Sequence, residues 1–169
     1  MNEPSMSEIM NGIIPIITGN DILDIGTGFG TVIKALISNK NINITSIDPE
    51  MWRFDELKNT FLNEIYEGRL KLLKTSIEEI NSPDNRFSTS ISLFSAHHFS
   101  NTLKAINKIE NVTSGTIIIA DWSPASSGIS NPHSSEELEK SMSTVKNYAL
   151  KNKYKIQNNK MWFMIYKTK

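Results

Sequence analysis

A glycine-rich turn between two acidic residues is the stretch of this chain whose residue types and spacing could form a binding site. The stretch reads DIGTGFG, with Asp24 just before alternating glycines at positions 26, 28 and 30. Asp48 follows the first glycine by about 20 residues, the separation at which an acidic residue can accept hydrogen bonds from ribose hydroxyls. Glycines let a ligand lie against bare backbone. The turn therefore predicts a site for a ribose-bearing ligand.

The chemistry of that ligand follows from what the turn lacks and from the charge of Asp24. A phosphate-binding P-loop needs a wider gap between its glycines and then Gly-Lys-Ser/Thr, while a dinucleotide fingerprint needs glycine where this chain has Thr31. A carboxylate at Asp24 would repel a pyrophosphate and attract an ammonium group. The residues thus indicate a ligand with a ribose, a cationic end and no required phosphate, and S-adenosylmethionine fits this description. An NAD-dependent oxidoreductase and a purely structural turn are the alternatives.

Alternating apolar patterns predict the elements that position these residues. The predicted strands are 21–25, 42–47, 70–74, 87–94 and 116–121, followed by an antiparallel hairpin of 154–157 and 160–167. The predicted helices end near residue 19, cover 31–38, run from 49 to 68, cover 99–109 and extend from 134 to about 152. The alternation predicts an α/β fold: a Rossmann-like, doubly wound, mostly parallel seven-stranded sheet with an antiparallel C-terminal hairpin and helices on both faces, in a single domain of residues 1–169. Ligands bind such sheets beyond the carboxyl ends of the strands, where Asp24 and Asp48 fall.

Composition and charge exclude several functional classes. Lys plus Arg and Asp plus Glu each number 18, and a net charge of zero does not favour a strongly basic nucleic-acid binder. The absence of cysteine excludes disulfides and thiolate metal sites. The N-terminus lacks a signal-peptide pattern and Pro15 interrupts the longest apolar run, so we expect a cytoplasmic protein with no membrane partner. Three histidines do not by themselves define a metal site, and we predict none.

The ordered motifs resemble class I S-adenosylmethionine-dependent methyltransferases, and more narrowly their ubiquinone/menaquinone-biosynthesis-like (methyltransferase type 11) group. LDIGTGFGTVIKAL resembles the first motif of that family, and SIDPEM resembles the second. TSIEEINSPDNRFSTSISLFSAHHFSN is similar, without a gap, to a family stretch that ends in His-His, and IIIADWSP resembles the fifth strand. The resemblance covers about residues 20–167. It implies S-adenosyl-L-methionine as cofactor and methyl transfer as the reaction.

The resemblance also implies roles for individual side chains. It implies that the methionine moiety lies at Asp24, Gly26, Thr27 and Gly28, the ribose at Asp48, the adenine at Pro49, Met51, Ser76 and Ile77, and the methyl group near Ser92 and Leu93. Ser76 departs from the family, which usually has an aspartate there, and a hydroxyl bonds the adenine amino group more weakly than a carboxylate does. His97, His98 and Asp121 are the candidate catalytic residues, with the histidines as a possible general base.

The sequence leaves the methyl acceptor open. Our first hypothesis is a small molecule. An RNA or protein acceptor is the alternative, with the lysine-rich C-terminal residues 151–169 as the contact surface. A third hypothesis is a non-catalytic, S-adenosylmethionine-binding partner subunit, motivated by Ser76 and by the short segment before the first motif. The oligomeric state is also open, a homodimer being one option.

Overall fold

The computed structural model describes residues 6–50, 53–129 and 132–169. These residues form a seven-stranded sheet with helices packed against both of its faces. The strands are β1 (Asp21–Ile25), β2 (Asn43–Ile47), β3 (Leu70–Leu73), β4 (Phe87–Leu93), β5 (Thr113–Trp122), β6 (Lys155–Asn158) and β7 (Trp162–Thr168). The helices are α1 (Met6–Ile13), α2 (Thr31–Leu36), α3 (Phe54–Thr60), α4 (Leu62–Tyr66), α5 (Thr102–Val112) and α6 (Ser135–Lys151). Short 3₁₀ turns cover Ile14–Ile16, Ala96–His98 and Pro124–Ser126.

The strand order places the carboxyl ends of β1 and β4 side by side. The sheet runs β3-β2-β1-β4-β5-β7-β6. Strands β1 to β5 are parallel, and β7 is antiparallel to both of its neighbours. The chain builds outward from β1 to β3 and then returns to place β4 on the other side of β1, so the order reverses between these two strands. Ligand crevices form at such a switch point. The predicted doubly wound α/β fold with an antiparallel C-terminal hairpin is confirmed.

Alternate residues of β5 pack into two different hydrophobic clusters. Ile117 and Ile119 pack in the cluster that contains the buried faces of α5 and α6, and Ile118 and Ala120 pack in the one that contains those of α1 and α2. All four side chains are fully buried. A strand covered on both faces requires such a continuous apolar run. The double burial anchors the end of β5, where Asp121 follows.

Three predicted helix extents differ from the structure by more than two residues, and two of them precede β3. Helix α1 ends at Ile13 instead of near residue 19, and a 3₁₀ turn follows. Pro15 explains the difference, because a proline disfavours α-helical backbone at the preceding residue and has no N–H to continue the hydrogen bonds. The predicted helix of residues 49–68 is two helices, α3 and α4, which break at Phe61.

The helix after β4 also begins later than predicted, at Thr102 instead of residue 99. Asn101 caps it by accepting a hydrogen bond from the Lys104 N–H. His97 and His98 therefore lie on a separate 3₁₀ turn and not in a helix. In the described parts of the chain, no helix is long and apolar enough to cross a membrane.

Candidate active site

A cavity of about 550 Å³ opens where β1, β2, β3 and β4 end. Its wall contains most of the residues predicted to contact the cofactor: Asp24, Gly26, Thr27, Gly28, Asp48, Pro49, Ser76, Ile77 and Leu93. Ser92 is fully buried in β4 and outside the cavity wall, and its hydroxyl lies 2.8 Å from that of Ser95. Met51 lies outside the described residues. The fold thus gathers chain segments that follow four strands around one cavity.

Gly26 is required for the shape of the glycine turn, and Gly28 leaves space open beside it. Gly26 has a φ of +83°, and a Cβ added there would lie 2.4 Å from the Cβ of Ser95. The Ser95 hydroxyl donates a 2.6 Å hydrogen bond to the carbonyl oxygen of Ile25, which ties the loop after β4 to the end of β1. A Cβ added at Gly28 would meet nothing closer than a backbone oxygen at 4.0 Å. A ligand can therefore lie against the backbone of Gly28.

Asp24 is a buried carboxyl group in the cavity wall, only 1% exposed. The Ser46 hydroxyl donates a 2.6 Å hydrogen bond to Asp24 Oδ2, and the Thr27 hydroxyl lies 2.6 Å from the same Ser46 oxygen. Burial raises the pKa of Asp24 to about 7; the Ser46 hydrogen bond acts to lower that pKa, and the charge of Asp48 raises it further. A cationic ligand group nearby would lower the pKa again, because it stabilises the ionised form.

Asp48 is held in place by two backbone amides at the end of β2. The Gly28 N–H donates to Asp48 Oδ2 at 3.2 Å, and the Glu50 N–H donates to Oδ1 at 2.9 Å. Each carboxylate oxygen retains a further lone pair. The side chain can therefore accept hydrogen bonds from the two neighbouring hydroxyls of a ribose while it stays fixed to the glycine turn.

The comparisons with known proteins agree with a site of this composition. The family model described as "Methyltransferase domain" matches residues 22–115, more than half of the chain. The chain belongs to this methyltransferase domain family. It is a class I S-adenosylmethionine-dependent methyltransferase, and its cofactor is S-adenosylmethionine. The open backbone at Gly28 and the paired carboxylates fit that cofactor. The narrower ubiquinone/menaquinone-biosynthesis-like assignment stays a prediction.

Solved structures share the fold of the methyltransferase. A SAM-dependent methyltransferase from Aquifex aeolicus has a TM-score of 0.73 and 21% identity, with 97% of this chain and 89% of that chain covered. The YcgJ protein from Bacillus subtilis has a TM-score of 0.67 and 20% identity, with 92% and 70% covered. A proposed S-adenosylmethionine-dependent methyltransferase from Methanococcus maripaludis has a TM-score of 0.66 and 18% identity, with 95% and 83% covered. No curated protein sequence matches the methyltransferase significantly.

Three aromatic side chains that the sequence analysis did not select also line the cavity of the methyltransferase: Phe29, Phe94 and Phe99. Phe94 has a φ of +54°, which is strained for a residue other than glycine. Its ring stacks on Trp122, with centroids 3.9 Å apart and an interplanar angle of 15°. The stacking holds Phe94 in that conformation at the cavity wall. The sequence could have indicated Phe29 as a cavity residue, because Phe29 lies between Gly28 and Gly30 in the first motif.

The three histidines of the methyltransferase, separated in the sequence, meet beside the cavity. The ring centroids of His97 and His98 are 4.1 Å apart, and the His133 ring lies 4.8 Å from each of them. His98 lines the cavity, whereas neither His97 nor Asp121 belongs to its wall as described. His97 Nδ1 lies 2.7 Å from Asp121 Oδ1, and both side chains are buried. Asp121 thus fixes the orientation of the His97 ring.

The surroundings of His98 lower its pKa. Partial burial is the main cause, and the positive charge that His97 and His133 would carry when protonated lowers the pKa further. A neutral imidazole can accept a proton or bind a metal ion. Of the two adjacent histidines, His98 is the one that lines the cavity.

The lysine excess near the C-terminus is partly engaged in ion pairs and hydrogen bonds. Lys167 Nζ lies 3.7 Å from Glu110 Oε1, and Lys169 donates to the carbonyl oxygens of Glu110 and Thr113. Thr113 begins β5, and the cavity lies at the opposite, carboxyl ends of the parallel strands. Lys167 and Lys169 therefore do not border the candidate active site.

Proposed function

We propose that the methyltransferase transfers a methyl group to a small-molecule acceptor that binds in the cavity next to His98. The observation that carries this proposal is that His98 and the Phe94 ring line the same cavity as the predicted cofactor-binding residues. A wall of apolar rings with a few polar groups beside the cofactor is characteristic of a small-molecule site. The residues 1–169 act as one methyltransferase domain in this proposal.

Asp24, Asp48 and Gly28 would hold the polar parts of S-adenosylmethionine in that cavity. Asp48 accepts hydrogen bonds from the ribose, Asp24 pairs with the ammonium group, and the backbone at Gly26, Thr27 and Gly28 contacts the methionine moiety. Pro49, Ser76 and Ile77 contact the adenine, Met51 is expected nearby, and Leu93 lies near the methyl group. Ser92 supports the site indirectly, because its hydroxyl contacts the hydroxyl of Ser95, which is bonded to the end of β1. When bound, the cofactor supplies an activated methyl group.

The remaining task of this chain is to orient the acceptor and to take up a proton. Orientation of two reactants within a cavity accounts for much of the acceleration of a direct transfer. The Phe94 ring, held by Trp122, offers a rigid apolar surface for the acceptor. His98, neutral and in the cavity wall, is the group that can accept the acceptor's proton. His97 and Asp121 act as positioning residues behind it.

An RNA or protein acceptor remains the second candidate, with the lysine-rich C-terminus as its contact. Its support is weaker because Lys167 and Lys169 lie at the other end of the sheet. The non-catalytic partner subunit is the third candidate, and its motivation is the hydroxyl of Ser76 in place of an aspartate.

The test combines cofactor binding with a transfer assay. Calorimetry should show that S-adenosylhomocysteine binds the full chain and that Asp48→Ala removes binding. Asp55→Ala is the matched control, because the Asp55 side chain is 97% exposed on α3. Transfer from methyl-labelled cofactor is then measured on small-molecule, RNA and protein fractions of a cell extract. Label in the small-molecule fraction supports the proposal, label confined to RNA or protein replaces it by the second candidate, and cofactor binding without transfer until a second protein is added supports the third.

A further inference from the structure

The histidine cluster, defined as His97, His98 and His133, has the geometry of an incomplete coordination sphere. One ring nitrogen from each histidine can be chosen so that all three lie within 4.8 Å of one another. The 3₁₀ turn Ala96–His98 supplies two of the rings, and the third lies just before α6. Imidazole nitrogens bound to one zinc ion lie ~3.3 Å apart, given metal–nitrogen bonds of about 2.0–2.1 Å. Small rotations of the exposed His98 ring and of the His133 ring, which is 31% exposed, can close that difference.

The surroundings of His97 leave its outer nitrogen available as a ligand. An ionised carboxylate can only accept, so the 2.7 Å contact assigns the proton of His97 to Nδ1 and leaves the lone pair on Nε2. Metal-bound histidines usually donate their second nitrogen to a carboxylate in this way. Asp121 Oδ2 is buried and has no hydrogen-bond partner among the residues described, and a cation bound beside His97 would offset the cost of burying that oxygen.

Carboxylates lie beside the three close-packed rings of the cluster, whose centroids are 4.1 to 4.8 Å apart. Asp121 contacts His97 on one side. Glu137 Oε2 lies 3.9 Å from His133 Nδ1, so a second carboxylate borders the cluster. Imidazoles with converging nitrogens and carboxylates behind them are the donor set of zinc-like ions and not of Mg²⁺ or Ca²⁺.

We propose that His97, His98 and His133 together bind one divalent transition-metal ion of the zinc type. Three protein ligands leave a coordination position open, which distinguishes catalytic from structural zinc sites. His98 also lines the cavity, so the ion would lie at its margin. This role rests on the proposed function: an oxygen, nitrogen or sulfur atom of the acceptor would occupy the open position, where the ion lowers its pKa and orients it for methyl transfer. Its proton would then leave to water, because His98 as a ligand of the ion no longer serves as the general base.

The test measures zinc binding to the chelator-treated full chain by calorimetry. We expect saturable binding of one Zn²⁺ per chain and a loss of affinity of at least about 100-fold in His98→Ala and His133→Ala. Asp121→Asn, which keeps the shape of the side chain, should weaken binding by about 10- to 100-fold, as for other outer-shell carboxylates. Glu136→Gln is the matched control and should bind normally, because Glu136 is an exposed residue of the same helix start as Glu137. Binding should also weaken as pH falls, because protons compete for the imidazoles.

A second measurement keeps the test decisive if a variant fails to fold. The chain has only three histidines, so a ¹⁵N-imidazole spectrum of the wild type reports on all of them. Zinc must perturb all three rings; perturbation of none or of a single ring overturns the proposal, as does unchanged affinity in folded His133→Ala. S-adenosylhomocysteine binding is measured on the same samples. If S-adenosylhomocysteine does not bind the wild type, the proposed function is refuted, whereas the metal-binding result still stands.

Discussion

Ser46 donates a hydrogen bond of 2.6 Å to Asp24, and both residues are almost completely buried. The bond joins β2 to β1, and the Thr27 hydroxyl extends it into the glycine turn. One hydroxyl does not compensate for the loss of water around a carboxylate, and the pKa of Asp24 therefore rises to about 7. A residue that must be ionised to attract a cation is thus poised to change charge near neutral pH.

Cofactor affinity should consequently depend on pH. Asp24 is protonated below its pKa and cannot pair with the cofactor ammonium, so affinity should rise between about pH 6 and about pH 8 and then level off. Calorimetric titration with S-adenosylhomocysteine across this range measures the effect. Asp24→Asn should bind more weakly and with little dependence on pH, whereas Asp21→Asn, at the other end of β1, should behave as the wild type. A flat wild-type profile would contradict the role given to Asp24.

The stability of the chain without cofactor should show the opposite trend. Because the pKa of Asp24 is raised from 3.8 to about 7, its protonated form favours the folded state at low pH. That contribution is complete below the unfolded pKa and is lost as pH rises through the folded pKa, a change of a few kcal/mol. Asp24→Asn should therefore gain stability relative to the wild type between about pH 5 and about pH 8. Urea unfolding at about pH 5 and about pH 8 measures the free energy of unfolding of the variant and the wild type. An equal difference between the two proteins at both pH values would refute the raised pKa of Asp24.

Two glycines of the turn should respond differently to alanine. Gly26→Ala combines a positive φ with a Cβ 2.4 Å from Ser95 Cβ, so it should destabilise the fold by at least about 1–3 kcal/mol. Gly28→Ala also places alanine at a positive φ, +48°, but it meets no protein atom closer than 4.0 Å, and its methyl group would enter the space left for the cofactor. We expect it to fold with a smaller loss of stability and to lose most S-adenosylhomocysteine affinity. Thermal unfolding and calorimetry of both variants separate the two effects, and equal behaviour would contradict this distinction.

Ser76→Asp should strengthen cofactor binding. The side chain lies in the cavity wall, and a carboxylate forms a stronger hydrogen bond with the adenine amino group than a hydroxyl does. A gain of about 1 kcal/mol corresponds to a several-fold lower dissociation constant. Ser82→Asp, in the loop before β4, adds the same charge away from the cavity wall and is the control. Equal effects of the two substitutions would show that the gain, if any, reflects charge alone and not contact with adenine.

The sequence by itself determined the elements and the order of the site-forming segments. The run Thr116–Asp121 is continuous because its strand is covered on both faces, and the spacing from Gly26 to Asp48 follows from one strand–helix–strand unit. Such signals are local, since they depend on side-chain periodicity and on backbone freedom within a few residues. Helix ends were predicted less well: the apolar pattern placed the start of α5 at residue 99, whereas the helix begins after its cap, Asn101.

Only the tertiary structure decided the electrostatics and the meeting of distant residues. The raised pKa of Asp24 depends on burial by neighbouring strands, which no local pattern encodes. His133 reaches His97 and His98 because α6 packs against the 3₁₀ turn that carries them, across a separation of more than thirty residues. Burial and long-range proximity are properties of the packed sheet and its helices, so a pair of histidines and a third one in a loop acquired a shared chemistry only when the chain folded.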